Sequence, residues 1–155
     1  MPFEVVSRSE AQTEALAAAF ARLLKPGDIV FLTGQLGSGK TFFIRAAARE
    51  LGIKEPVTSP SFTMANSYFG RTTVHHLDLY RLGEFGPADA VDFEPFFEDD
   101  AITFVEWPEV AMPLLEAPAA EIHLDHVDEH SRRISFKVSG NLSKGVERLI
   151  EDAGN

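Results

Sequence analysis

The sequence predicts an α/β fold, a mixed sheet flanked by helices in one compact domain over residues 1–155. Three observations predict it. Gly34-Gln35-Leu36-Gly37-Ser38-Gly39-Lys40-Thr41 fits the phosphate-loop pattern G-x-x-x-x-G-K-[ST] at each specified position. Ahead of it, residues 28–33 form the short apolar run that a buried strand leaves in a sequence. Behind it, residues 42–51 read as a helix stopped by Gly52. Strand, glycine loop and helix in that order make a P-loop NTPase-like core. The dinucleotide pattern G-x-G-x-x-G is broken because Phe42 stands where its third glycine belongs, which argues against a nicotinamide or flavin site.

The remaining elements follow in chain order. Residues 3–6 form a short first strand. Ser9, with Gln12 three residues on, makes a capping box that opens a helix. That helix carries apolar residues at 16, 20, 23 and 24 and runs to about Leu24, where Pro26-Gly27 ends it. After the glycine loop and its helix, residues 58–63 are polar and irregular. Residues 62–69 and 73–79 are two strands joined around Gly70-Arg71, a hairpin pattern. Residues 82–100 mix Gly, Pro, acids and Phe, and predict turns and short helices. Residues 101–105 are another apolar run, ending in Glu106. Pro108, Pro113 and Pro118 then punctuate the chain. Residues 121–126 and 132–138 form a second hairpin across 128–130. A closing helix over 142–152 puts Val146, Leu149 and Ile150 on one face. No repeat, low-complexity tract or linker divides the chain.

A chain of 155 residues is long enough to bury roughly 68–70% of its unfolded surface. It has no cysteine, so disulfides, thiolate metal sites and a cysteine nucleophile are excluded. No apolar stretch approaches the ~20 residues of a membrane helix, and the N-terminal residues lack a basic-then-apolar signal pattern. A cytoplasmic protein without membrane contact is expected. The net charge is −10, unevenly placed: residues 82–131 hold 14 acids and no Lys or Arg. Such a stretch repels phosphate backbones, so direct gripping of nucleic acid there is not expected. It reads either as a solvated acidic face or as a docking face for a basic protein.

The chemistry concentrates on the glycine loop. Its glycines let backbone N–H groups approach phosphate oxygens, and the helix that follows adds roughly +0.5 charge at its N-terminus. Lys40 puts a compact positive charge on β- and γ-phosphates, and Thr41 offers a hydroxyl to Mg²⁺. A second, acidic element is needed at the carboxyl end of a neighbouring strand. Glu106, ending the run 101–105, and Asp78, within His76-Leu77-Asp78-Leu79-Tyr80-Arg81, both fit. Asp78 also has a plain alternative, a structural pair with Arg81. Lys40, Asp78 and Glu106 are the catalytic candidates. His123, His126 and His130 are read as ordinary surface residues, since 123 and 126 face opposite sides of a strand and 130 falls in a turn. Glu98-Asp99-Asp100 reads as a solvated turn, and no serine lies in a nucleophile-elbow pattern.

Taken together, the loop 34–41, Ser59-Pro60-Ser61-Phe62, His76-Leu77-Asp78-Leu79-Tyr80-Arg81 and Glu106-Trp107-Pro108-Glu109 resemble, in that order, the TsaE family. The match spans nearly the whole chain, and the H-x-D-x-Y-R and E-W-P elements are its most specific parts. The resemblance implies a compact ATPase that binds ATP/ADP and Mg²⁺ and supports threonylcarbamoyl transfer to the adenosine 3′ of the anticodon. The tRNAs concerned read codons that begin with A. TsaD- and TsaB-like proteins would be its partners, with tRNA reached only through them. By the same resemblance, Thr41 and Glu106 hold Mg²⁺. Gly34, Leu36, Gly37, Ser38, Gly39, Lys40 and Thr41 wrap the phosphates, Glu10 and Thr13 lie near the base, and Trp107 belongs to the nucleotide site. The segment 59–63 acts as a switch near the γ-phosphate. Two positions depart from the family pattern: Gln35 replaces a common Asp, which removes a negative charge beside the phosphates, and Ser61 replaces a usual Thr.

Three rival readings stand beside this one. A small-molecule or nucleotide kinase would need lid arginines, and residues 82–131 hold none. A GTPase would carry N-K-x-D and D-x-x-G, and neither occurs. A non-catalytic, nucleotide-bound assembly subunit would use the same loop as an ATPase, and hydrolysis with and without partners separates the two.

Overall fold

A computed structural model describes residues 3–60, 63–82 and 91–153. Among them, seven strands form one sheet: β1 (Phe3–Ser7), β2 (Ile29–Thr33), β3 (Ala65–Phe69), β4 (Thr73–Asp78), β5 (Ala101–Glu106), β6 (Ala120–His126) and β7 (Arg132–Val138). Three α-helices accompany it: α1 (Glu10–Ala21), α2 (Lys40–Glu50) and α3 (Leu142–Ala153). The strand order is β1-β7-β6-β2-β5-β4-β3. The four middle strands, β6, β2, β5 and β4, are parallel, and the outer pairs β1·β7, β6·β7 and β3·β4 are antiparallel.

Burial separates the two kinds of strand. Every residue of β5 is buried, as are the first four of β2, because a parallel strand covered on both faces needs apolar side chains throughout. β6 alternates buried and more exposed positions over most of its length, as a strand with one wet face does. Alternation sends Val30, Leu32, Ile102, Phe104, Ile122 and Phe136 to one face, where all three α-helices pack. Phe20 of α1, Phe43 of α2 and Phe136 meet there with ring centroids 5.6–6.5 Å apart. Each such buried ring contributes roughly 1.5–3 kcal/mol. Ile29, Phe31, Leu77, Leu79 and Val105 go to the opposite face. That face is covered by Leu82, Phe93, Ala111 and their neighbours, in segments that form 3-10 turns at Glu94–Phe96, Pro108–Val110 and Met112–Leu114. The helices thus flank one face of the sheet. A proline stands in the first positions of each short turn, where its missing N–H leaves no helical hydrogen bond unmade.

Several boundaries differ from the sequence expectation. α1 stops at Ala21 rather than Leu24, because Leu23 and Leu24 donate to the carbonyls of Phe20 and Ala21 in a tightened 3-10 close. Ser9 caps α1, its Oγ accepting from Gln12 N at 3.0 Å. The reciprocal arm lands one residue early, Gln12 Oε1 accepting from Arg8 N at 2.7 Å instead of from the cap itself. α2 begins at Lys40, two residues before the predicted start, so Lys40 and Thr41 lie in its first turn. Within the described residues the strand expected from Phe62 begins at Ala65; Ser61, Phe62 and residues 83–90 lie outside the described residues.

Register does the work that matters for chemistry. Leu32 of β2 and Asp78 of β4 both pair with Glu106 of β5. The carboxyl ends of three adjacent parallel strands therefore open on the loop after β2, the place where open α/β sheets bind ligands.

Candidate functional site

The loop between β2 and α2 takes its shape from three glycines at positive φ: Gly34 at 139°, Gly37 at 80° and Gly39 at 104°. At Gly34 the requirement is steric as well. A Cβ there would lie 2.5 Å from the Leu124 carbonyl oxygen and 2.7 Å from Ser38 Oγ. Gly34→Ala should therefore cost at least about 1–3 kcal/mol of stability from the backbone conformation alone. A thermal melt matching the wild type would show that the loop relaxes around the added methyl. At Gly39 the left-handed conformation makes the N-cap of α2, and no side chain caps the helix. Its first N–H groups are left for an anion, with the helix dipole aligned behind them.

Lys40 is 4% exposed. Its Nζ donates to the carbonyl oxygens of Gly34 at 2.6 Å and Gln35 at 3.0 Å, and lies 4.4 Å from the centroid of the Trp107 ring. Burial pushes the Lys40 ammonium below its ordinary pKa, while Glu106, Asp78 and Glu109 pull the other way. A desolvated ammonium at the mouth of a helix start gains when phosphate oxygens approach it.

Thr41 Oγ1 donates to Glu106 Oε2 at 2.9 Å. The same oxygen accepts from His76 Nε2 at 2.6 Å. Glu106 is 3% exposed and His76 fully buried. Asp78 is held from two sides, its Oδ2 accepting from Ser59 Oγ at 3.2 Å and its Oδ1 from Tyr80 N at 3.1 Å. Trp107 follows Glu106 with φ at 58°, a conformation that swings its ring over the loop, where it meets Tyr80 at 4.9 Å.

These groups border one cleft of about 430 Å³. Leu36, Gly37, Gly39, Lys40, Thr41, Asp78, Glu106 and Trp107 line it, with Ser59, Tyr80 and Arg81. Gly34 lies beneath and lines neither this cleft nor its neighbour; its carbonyl anchors Lys40. Ser38, Glu10 and Thr13 line an adjoining pocket of about 120 Å³, which shares Gly39 and Phe42 with the cleft. The Thr13 hydroxyl is hydrogen-bonded to Ser7 Oγ at 2.6 Å, which ties the start of α1 to the end of β1 beside the pocket.

Sequence reasoning missed the far wall of that pocket: Phe42, Leu124, Glu129, His130 and Arg132. Arg132 Nε donates to the Ser38 carbonyl at 3.0 Å, tying the β6–β7 turn to the loop. No local signal marks Arg132, because the contact depends on β6 lying next to β2. His76 was missed for a related reason. It shares a face of β4 with Asp78, and the register carries that face to Glu106. The i, i+2 spacing of His76 and Asp78 was the available clue. His123 donates to or accepts from Thr33 Oγ1 at 2.7 Å and pairs with Asp125 at 3.0 Å, on an exposed patch of β6.

The donor set suits Mg²⁺. A Thr hydroxyl and a carboxylate 2.9 Å apart sit at a helix start that can receive phosphates. Mg²⁺ ordinarily takes one or two protein oxygens and completes its shell with phosphate and water. Among the described residues no group of three or more His, Asp or Glu side chains could cage a metal unaided.

Residues 7–134 match the family model described as threonylcarbamoyl adenosine biosynthesis protein TsaE. The tRNA threonylcarbamoyladenosine biosynthesis protein TsaE of Rickettsia felis is 34% identical over 147 residues, which cover 94% of this chain and 85% of that protein. Its Bacillus subtilis counterpart is 32% identical over 142 residues, covering 91% and 87%. That of Aquifex aeolicus is 36% identical over 134 residues, covering 84% and 92%. The crystal structure of Bacillus subtilis YdiB superposes with a TM-score of 0.80 at 26% identity, over 100% of this chain and 97% of that one.

Proposed function

The chain belongs to the TsaE family, whose members serve tRNA threonylcarbamoyladenosine biosynthesis, and on that premise we propose that it is a Mg²⁺-dependent ATPase of that pathway. It acts with TsaD- and TsaB-like proteins and supports threonylcarbamoyl transfer to the adenosine 3′ of the anticodon in tRNAs reading A-starting codons. One observation carries the reading: Lys40, Thr41, Asp78 and Glu106, from two strand ends and one helix start, border a single cleft.

The roles follow from the contacts. The N–H groups at the start of α2 receive the phosphates. Lys40 exchanges the Gly34 and Gln35 carbonyls for β- and γ-phosphate oxygens, which repay its desolvation. Thr41 and Glu106 hold Mg²⁺, which neutralises charge on the phosphate oxygens when bound. Asp78, fixed by Ser59 and Tyr80 N, orients the attacking water and accepts its proton. Glu10, Thr13 and the pocket they share with Arg132 take the base side of ATP/ADP.

Among the described residues no arginine other than Arg81 lines the cleft, so the charge that a transferring phosphoryl group attracts has little local supply. An arginine given by a partner is worth about 10³–10⁵ in rate. The acid-rich stretch 82–131 suits a basic protein and repels tRNA, so tRNA is reached through the partners. No helix among the described residues is long and apolar enough to cross a membrane, and a tRNA pathway fits a cytoplasmic place.

The test is hydrolysis by the purified chain, alone and with a TsaD–TsaB assembly. Turnover should be slow alone and rise by orders of magnitude with partners. The complex should weaken as salt shortens the Debye length below ~10 Å. Fast turnover alone, unchanged by the assembly, would favour an independent kinase or ATPase.

A further inference from the structure

One fully buried polar side chain at the cleft has no part in the roles above. We infer that His76 is a positioning residue, holding the Glu106 carboxylate in the orientation that Mg²⁺ requires. The inference rests on the ATPase reading and concerns a residue outside its ligand set.

The geometry is specific. β4 and β5 run parallel, with His76 opposite Phe104 and Asp78 opposite Glu106. His76 and Glu106 lie diagonally on one face, and the ring reaches across at 2.6 Å. A carboxylate only accepts, so Nε2 carries the proton and donates. The other ring nitrogen, Nδ1, is buried with no hydrogen-bond partner among the described residues. With Nε2 protonated, what stays unpaired is a lone pair and not a buried N–H, the less costly of the two omissions.

Packing alone does not call for a histidine there. Its strand neighbours on this face, Val74 and Phe104, belong to the apolar core beneath the helices. An apolar side chain would fill that place without stranding a ring nitrogen. The histidine is explained by what it does to Glu106. Thr41 and His76 both bond to Oε2, so Oε1 carries no hydrogen bond from a described residue, and Glu106 lines the cleft. When Thr41 turns its hydroxyl to a metal, His76 is the contact that still fixes the carboxylate. Outer partners of this kind commonly change metal affinity by 10–100-fold when removed.

The experiment measures binding, not turnover. Affinity for a non-hydrolysable ATP analogue is read by calorimetry in EDTA and across a MgCl₂ series, for the wild type, His76→Ala and His76→Gln. The analogue should bind all three within about twofold in EDTA. His76→Ala should need about 10–100-fold more Mg²⁺ for half of the metal-dependent gain in affinity. His76→Gln, whose amide nitrogen can donate from nearly the same place, should recover most of that shift. A Mg²⁺ requirement unmoved in His76→Ala overturns the inference and leaves the ATPase reading standing. So does a Gln variant no better than Ala, or an equal loss in EDTA and in Mg²⁺. A wild type whose affinity ignores Mg²⁺ overturns both.

Discussion

Lys40→Ala is expected to lower nucleotide affinity or partner-stimulated hydrolysis by about 10²-fold or more. That is the range seen when one preorganised donor is removed from a developing anion. The argument starts from where the side chain lies in the free protein. Its ammonium is bonded to two loop carbonyls and stacked on Trp107 in a buried setting that disfavours the charge. Phosphate oxygens offer a better partner for the same ammonium at the same helix start. Truncation leaves those oxygens facing backbone dipoles alone. It also uncovers the face of the only tryptophan in the chain, so the emission of the free variant should differ from wild type before any nucleotide is added. Wild-type hydrolysis by Lys40→Ala in the presence of partners would remove the phosphate-loop assignment. Lys40→Arg should rescue poorly, because a planar fork does not fit a slot built around a compact ammonium.

The second large effect separates two carboxylates that sit opposite each other in the sheet. Glu106→Gln keeps the size of the side chain but removes the charge a metal needs. The Mg²⁺ concentration required for activity should rise by at least about 10–100-fold, the span that loss of an outer partner already reaches. Asp78→Asn keeps one oxygen to accept from Tyr80 N, and its amide nitrogen can donate to the Ser59 hydroxyl in place of the bond that Ser59 gave, so the local structure should survive. What it loses is a proton acceptor. Turnover should fall by about 10²–10⁴, with a smaller change in nucleotide affinity. Titrating MgCl₂ against both variants in one assay decides between the roles. If metal dependence moves only in the Asp78 variant, the two residues exchange functions.

Much of this was legible before any coordinates. The loop 34–41 declared itself because its requirements are local: glycines where φ is positive, a lysine and a threonine at the start of a helix. The apolar runs of β2 and β5 were visible because a strand covered on both faces must be apolar throughout. Ser9 was readable as a cap because its partner is three residues away. Each of these signals lies within a few residues, where backbone sterics and short hydrogen bonds leave few choices.

Only the tertiary structure decided the rest. Glu106 and Thr41 are 65 residues apart in sequence, and they meet because β5 lies next to β2 in the sheet. His76 reaches Glu106 across 30 residues through the register of β4 on β5, and Arg132 reaches the loop across 94. Nor did any local pattern say that all three helices would cover one face and leave the other to turns. Strand order and register are set by which apolar faces can be buried together over the whole chain, against the entropy of closing long loops. The sequence by itself therefore determined the glycine loop at the start of α2 and the kind of fold around it. The packing of distant strands determined which carboxylate, which histidine and which arginine came to stand beside that loop.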